Sequence, residues 1–381
     1  MSWQQQLHPR GIDLGLERIR HVFDSMELRA QVPNVLTVAG TNGKGTCVEA
    51  AQALALAAGK RVGSYTSPHL WRYNERIRID GQSVTDARIV AAFERIEARR
   101  GAQSLTYFEF ATLAAFEIFA QENLDLWILE VGLGGRLDAV NLIDADVAVV
   151  TSIGLDHQDW LGSDLEKIAD EKLAVGRSGQ HLFVGRSVPA AACQRARSAG
   201  VDVKSLAENR LETSNCPPAL VRENLELACQ ALDALDMLPP APGAILRTLQ
   251  VPGRCERHVF AQHEEIYDVA HNADAIAHLL EFLGGLPAAG STVAVFSALA
   301  DKPIEEMSAM LDGAVDAWCL VGLNEPRGLT VGALQQRIRS EKPAHAFESF
   351  AGALEAARAM GRRIVVCGSF HTVSAGKPRH G

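Results

Sequence analysis

From Asn34 onward the chain repeats one local pattern: a short apolar run rich in β-branched residues, a turn containing glycine, then an Ala/Leu-rich stretch with apolar residues three and four apart. Runs that are apolar throughout suit strands buried on both faces, and the three- and four-residue spacing suits helices packed against them. The pattern predicts a mostly parallel sheet covered by helices, with strands at 35–39, 61–65, 125–131, 146–152 and 181–184. The intervening helices are expected at 46–58, 86–99, 110–121 and 165–175.

A chain of 381 residues exceeds what one hydrophobic core usually serves, so two domains are expected. Three prolines and a glycine gather at 238–243, and the boundary is placed just beyond, giving domains at 1–250 and 251–381. The second part alternates again, with strands at 265–269, 292–297, 317–321 and 363–367 and helices at 273–283, 304–311, 331–340 and 350–360. The class is α/β in both parts, the second smaller and Rossmann-like.

A net charge of −9 with no basic tract argues against a nucleic-acid partner. Neither a signal-peptide core nor a membrane-length apolar run stands out, so a cytoplasmic enzyme without a membrane partner is expected. No long apolar surface helix stands out either, and a monomer is expected. Seven scattered cysteines, none in a Cys-x-x-Cys pair, read as reduced thiols rather than a zinc site or a disulfide framework.

The segment Val35-Leu-Thr-Val-Ala-Gly40-Thr41-Asn42-Gly43-Lys44-Gly45-Thr46 passes from strand through glycines into helix, the setting of a phosphate-binding loop (P-loop) in the N-terminal domain. Glycines admit close backbone approach and the helix start offers N–H groups to an anion. Lys44 would meet phosphate oxygens, and the Thr46 hydroxyl lies where a magnesium contact is usual. The match is imperfect, because Val38 replaces the first glycine and Gly45 separates Lys44 from Thr46. By itself the loop says only that a nucleotide binds.

Glu130 ends the apolar run Leu126-Trp-Ile-Leu129, which puts a carboxylate at the strand end where open parallel sheets bind ligands. A capping or ion-paired acid is an equally good reading of Glu130 alone. His157, just past another strand, reads by itself as a hydrogen-bonded structural residue, and Lys172 as a solvated charge on a helix.

Six segments taken together resemble the bacterial dihydrofolate synthase/folylpolyglutamate synthase family, which belongs with the Mur-type ATP-dependent amide ligases. They are Ala39 to Thr46, Thr66-Ser67-Pro68-His69-Leu70, Leu105-Thr106-Tyr107-Phe108-Glu109, Leu129 to Ala139, Thr151 to His157, and Glu171-Lys172, in the family's order and spacing. The resemblance implies ligation of L-glutamate to dihydropteroate, and of further glutamates to reduced folates, with ATP as substrate and Mg2+. It implies Ser67, Glu130 and His157 as magnesium ligands and Lys172 as a carbamylated lysine that can also hold the metal, beside the Thr46 hydroxyl that the loop position already offers. It implies pterin contacts at Ile12-Asp13-Leu14, Thr106-Tyr107-Phe108-Glu109 and Leu137-Asp138-Ala139, with Phe110 left to the core.

ATP contacts are implied at Thr41, Asn42, Gly43, Lys44, Gly45, Thr46 and Asn224. From the second domain, Arg254 in Pro252-Gly-Arg and Asp268 and His271 in Asp268-Val-Ala-His271-Asn272 would complete the ATP and glutamate site, with a hinge at 240–252. Lys44, Lys172, His157 and Arg254 are the expected catalytic set. The chain departs from the family in a shorter 186–223 segment, in Leu173 after Lys172, and in a tail that stops early. Another Mur-type amino-acid ligase, a plain P-loop ATPase and a non-catalytic nucleotide-binding relative stay open as alternatives.

Overall fold

The structure, a computed structural model, describes residues 8, 12–28, 32–207, 211–212, 216–217, 220–325 and 327–376. The chain forms two compact units, one over 1–217 and 221–249, the other over 218–220 and 250–381. The two are α/β, as the alternation predicts.

The strands of the first unit are β1 (Asn34–Ala39), β2 (Val62–Tyr65), β3 (Ile77–Ile79), β4 (Gln82–Ser83), β5 (Leu126–Glu130), β6 (Val147–Val150), β7 (His181–Val184) and β8 (Asp202–Ser205). Their order across the sheet is β4-β3-β2-β5-β1-β6-β7-β8. From β2 to β8 every pairing is parallel, while β3 and β4 add an antiparallel edge. β1 and β5 are neighbours in a register that sets Val38 beside Glu130.

Helices cover the sheet because its central strands are apolar on both faces; β1, β5 and β6 are buried along nearly their whole length. Trp127 of β5 is fully buried and stacks on Phe116 of the helix Tyr107–Ala120, ring centroids 5.8 Å apart. Phe110 on that helix is fully buried, the core role expected of it. A residue of this size removed to alanine typically costs about 3–5 kcal/mol. The helices Lys44–Ala57 and Arg222–Ala234 lie against each other.

In the second unit, β9 (Glu256–Val259), β10 (Glu264–Tyr267), β11 (Thr292–Phe296), β12 (Ala317–Val321), β13 (Ala344–Phe347) and β14 (Arg363–Cys367) order as β13-β12-β11-β14-β10-β9. Only the β9–β10 pairing is antiparallel. The helix expected at 331–340 is Val331–Arg337, because Ile338 turns extended at φ −64°, ψ 132°. All seven cysteines are free thiols. Among the described residues no helix is long and apolar enough to cross a membrane.

The shortened 186–223 segment contributes the helix Ala190–Ser198 and β8; residues 208–210, 213–215 and 218–219 of it, and the tail 377–381, lie outside the described residues.

Candidate active site

The phosphate loop leaves β1 and turns on two glycines. Gly40 has φ +143° and Gly43 φ +88°, and neither has room for a side chain: a Cβ on Gly40 would lie 2.0 Å from Thr151 Oγ1, and one on Gly43 2.4 Å from Asn224 Nδ2. Asn224, far downstream in the chain, therefore packs its side chain against this loop. The segment after β6 braces it. The Thr41 N–H donates to Ser152 O at 2.8 Å, the Asn42 N–H to Ser152 Oγ at 2.9 Å, and Thr151 Oγ1 to Asn42 O at 2.6 Å. Sequence reasoning gave Thr151 and Ser152 no role of their own, although both lie in a segment it singled out.

Gly43 opens the helix Lys44–Ala57 without a side-chain cap, so the first-turn N–H groups of Gly45 and Thr46 keep the anion-binding character of an uncapped helix start. Thr46 is buried at 4% exposure, and Lys44 Nζ donates to the Gly40 and Thr41 carbonyls, each at 3.0 Å. The lysine is thus held folded over the loop it serves.

Glu130 closes β5 beside this loop, buried, with Oε2 accepting from the Ser67 N–H at 2.9 Å. Its Oε1 lies 3.9 Å from where a Cβ on Gly45 would be. His157 precedes the one-turn helix Gln158–Leu161 in a left-handed conformation, φ 52° and ψ 39°, half-buried.

Among the described residues no three His, Cys, Asp or Glu side chains cluster as a metal cage. The buried Glu130 carboxylate, bonded to the Ser67 N–H, does fit a magnesium-like ion, which keeps water and phosphate oxygens as ligands and needs few from protein.

Lys172 is buried at 5% exposure on the helix Leu165–Leu173, against the reading of a solvated charge, and its Nζ donates to Gly40 O at 3.2 Å. Gly135 makes this approach possible, since a Cβ there would lie 2.7 Å from Glu171 O and 3.0 Å from Lys172 Cα. Burial first, and the neighbouring Lys44 charge second, lower the Lys172 amine to about 7.

Asp138 is also buried. Its carboxylate accepts from the N–H groups of Gly132, Leu133 and Val140 at 3.1, 2.9 and 3.0 Å, tying the loop after β5 back on itself. Burial raises it to about 6, against the pull of those N–H groups and of Lys172. Ala139 beside it is buried and Leu137 half-buried.

The segments 12–14 and 106–109 meet through Arg18. Its Nη1 donates to Asp13 Oδ2 at 2.8 Å, and its Nη2 to Asp13 O at 2.7 Å and to Glu109 Oε1 at 3.1 Å. Glu109 in turn caps the helix Tyr107–Ala120: its Oε2 accepts from the Thr106 N–H at 2.7 Å while Thr106 Oγ1 accepts from the Glu109 N–H at 3.2 Å. Ile12, Leu14, Tyr107 and Phe108 are half-buried. Phe108 rests on Gly132, where a Cβ would lie 2.5 Å from its ring.

In the second unit Asp268 accepts from the Cys255 and Ala270 N–H groups, each at 2.7 Å, and His271 Nδ1 pairs with Val269 O at 2.9 Å. The Arg254 guanidinium lies 5.4 Å above the centre of the Phe370 ring. Backbone contacts thus occupy part of what Asp268 and His271 could offer a nucleotide.

Two family models match, the Mur ligase middle domain over residues 38–179 and the Mur ligase glutamate ligase domain over 253–370. The chain is 41% identical to the Escherichia coli K12 dihydrofolate synthase/folylpolyglutamate synthase, over 98% of this chain and 93% of that protein. The solved structure of E. coli FolC in complex with DHPP and ADP superposes with a TM-score of 0.92 at 39% identity, over 98% of this chain and 94% of that one. A bifunctional folylpolyglutamate synthase/dihydrofolate synthase with Mn, AMPPNP and L-glutamate bound gives 0.88 at 39% identity, over 98% and 95%. With its phosphate loop, its Glu130 and its buried Lys172 in that setting, the chain belongs to the dihydrofolate synthase/folylpolyglutamate synthase family of Mur-type ligases.

Proposed function

We propose that this ligase joins L-glutamate to dihydropteroate at the expense of ATP, giving dihydrofolate, and extends reduced folates with further glutamates. The observation that carries the reading is the juxtaposition on one sheet edge of a phosphate loop, a buried carboxylate on the adjacent parallel strand, and a buried lysine amine against the loop carbonyl. A bare carboxylate resists amines, so the γ-phosphoryl of ATP is transferred to it first. Glutamate's amine then displaces phosphate from the acyl phosphate.

Lys44 and the first N–H groups of its helix stabilise charge on the transferring phosphoryl. Thr46, Ser67, Glu130 and His157 are assigned to a divalent ion, Mg2+ by preference, which when bound supplies positive charge to the phosphates. Asp13, Thr106, Tyr107, Phe108, Glu109 and the 137–139 loop are assigned to the pterin. Arg254, Asp268 and His271 of the second unit are assigned to ATP on the family resemblance alone.

Lys172 is assigned as a carbamate. The ammonium first gives up a proton to solvent, the neutral amine then attacks carbon dioxide, a C–N bond forms and a second proton leaves, so over the two losses a cation becomes an anion. An amine lowered to about 7 is neutral for a large fraction near neutral pH, which supports that step. Phosphate release and product mass, measured with dihydropteroate or tetrahydrofolate and with each substrate omitted, test the function. Release that needs neither a pterin nor glutamate overturns it.

A further inference from the structure

Arg76, at the end of the short 3-10 turn Tyr73–Arg76, is buried at 7% exposure. Its Nε donates to His69 Nδ1 at 2.8 Å, which makes that imidazole nitrogen an unprotonated acceptor. The guanidinium carbon stands 5.6 Å from the Tyr73 ring centre and 5.4 Å from that of Tyr107. Among the described residues no carboxylate pairs with it, whereas Arg78 pairs with Glu49 and Arg18 with Asp13 and Glu109. Aromatic faces attract a cation without neutralising it, and a buried charge without a counter-charge is unfavourable.

The position points to what supplies the anion. The Arg76 carbonyl accepts from the Thr66 N–H at 2.9 Å, one residue before Ser67, whose own N–H is bonded to Glu130. Tyr107 belongs to the 106–109 segment, and Tyr65, which feels the Arg76 charge, lies against Phe108 with ring centroids 5.9 Å apart. Arg76 therefore stands between the aromatic wall assigned to the pterin and the edge assigned to phosphoryl transfer.

We propose that Arg76 receives the carboxylate of the pteridine-benzoate substrate, the group that is to be phosphorylated. With Nε committed to His69, the two terminal nitrogens present a fork suited to both oxygens of a carboxylate. The assignment rests on the folate reading above and adds to it a recognition residue for the reacting end of the molecule.

The test compares binding of dihydropteroate and of its analogue with hydrogen in place of the carboxyl group, by calorimetry with a non-hydrolysable ATP analogue present. The wild-type protein is expected to bind the acid at least about tenfold more tightly than the analogue. Arg76→Gln is expected to remove that preference by weakening the acid alone, and Arg76→Lys to keep part of it. Because each variant is judged by the ratio between two ligands, a uniform loss of folded protein does not mimic the result. Equal affinity for both ligands in the wild type, or a parallel loss of both in Arg76→Gln, overturns the assignment. If the wild type turns over dihydropteroate and yet shows no such preference, only Arg76 is misassigned; if it neither binds nor turns over dihydropteroate, the folate reading falls too.

Discussion

Lys172 donates from Nζ to the carbonyl oxygen of Gly40 at 3.2 Å, so the helix Leu165–Leu173 sets a buried amine against the first glycine of the phosphate loop. Lys172→Ala is expected to lower turnover on the order of 100-fold or more, as loss of a preorganised charge at a phosphoryl-transfer site does. Carbon-13 NMR after equilibration with labelled carbon dioxide should show one carbamate signal in the wild type and none in the variant.

The same lysine gives a stability signature without carbon dioxide. Its folded value of about 7 lies below the ordinary lysine value of 10.5, so between the two the unfolded chain binds more protons than the folded one. Stability should therefore rise with pH across that window, by at most about 1.4 kcal/mol per pH unit from this group, with the burial penalty fully present below pH 7. Thermal melts in carbon-dioxide-free buffer should show the wild type gaining stability from pH 7 to 9. Lys172→Met should lack that gain.

Gly43→Ala combines a left-handed backbone position with an encounter at 2.4 Å with the Asn224 side chain. Backbone strain of roughly 1–3 kcal/mol is expected, and ATP affinity should fall about tenfold or more as the loop shifts. Adding Asn224→Ala should relieve the crowding and leave the strain. ATP titrations on the single and double variants separate the two contributions.

Arg18→Met should raise the KM for dihydropteroate about tenfold and leave the KM for ATP near its starting value, because Arg18 joins segment 12–14 to Glu109 and makes no contact with the phosphate loop. A matched rise in both constants would mean general loosening of the unit.

Chelation with EDTA should abolish phosphate release, and Mg2+ or Mn2+ should restore it. Glu130→Gln should raise the metal concentration needed, because the amide keeps an acceptor for the Ser67 N–H and loses the charge.

Much of this site was legible in the sequence because its geometry is local. A strand, two glycines and a helix determine where Lys44 sits, and Glu130 ends an unbroken apolar run. The strands β3, β4, β8, β9 and β13 escaped because they are two to four residues long and mostly exposed or half-buried, so only their neighbours in the sheet define them. Burial of Lys172 also escaped, since it depends on Gly135 admitting a helix from far along the chain. Asp138 read as a pterin contact, and its three backbone N–H partners depend on how the loop after β5 folds back.

Glu109 answers both to the helix start at Thr106 and to Arg18. On the pterin assignment proposed above, selection for heat resistance and selection for a new substrate range would press on the same carboxylate, and a library that randomises position 109 will confound the two. Tyr107 and Phe108, whose side chains take no part in that cap, answer instead to Arg76 and to Gly132, so variation there spares the helix start and trades against packing.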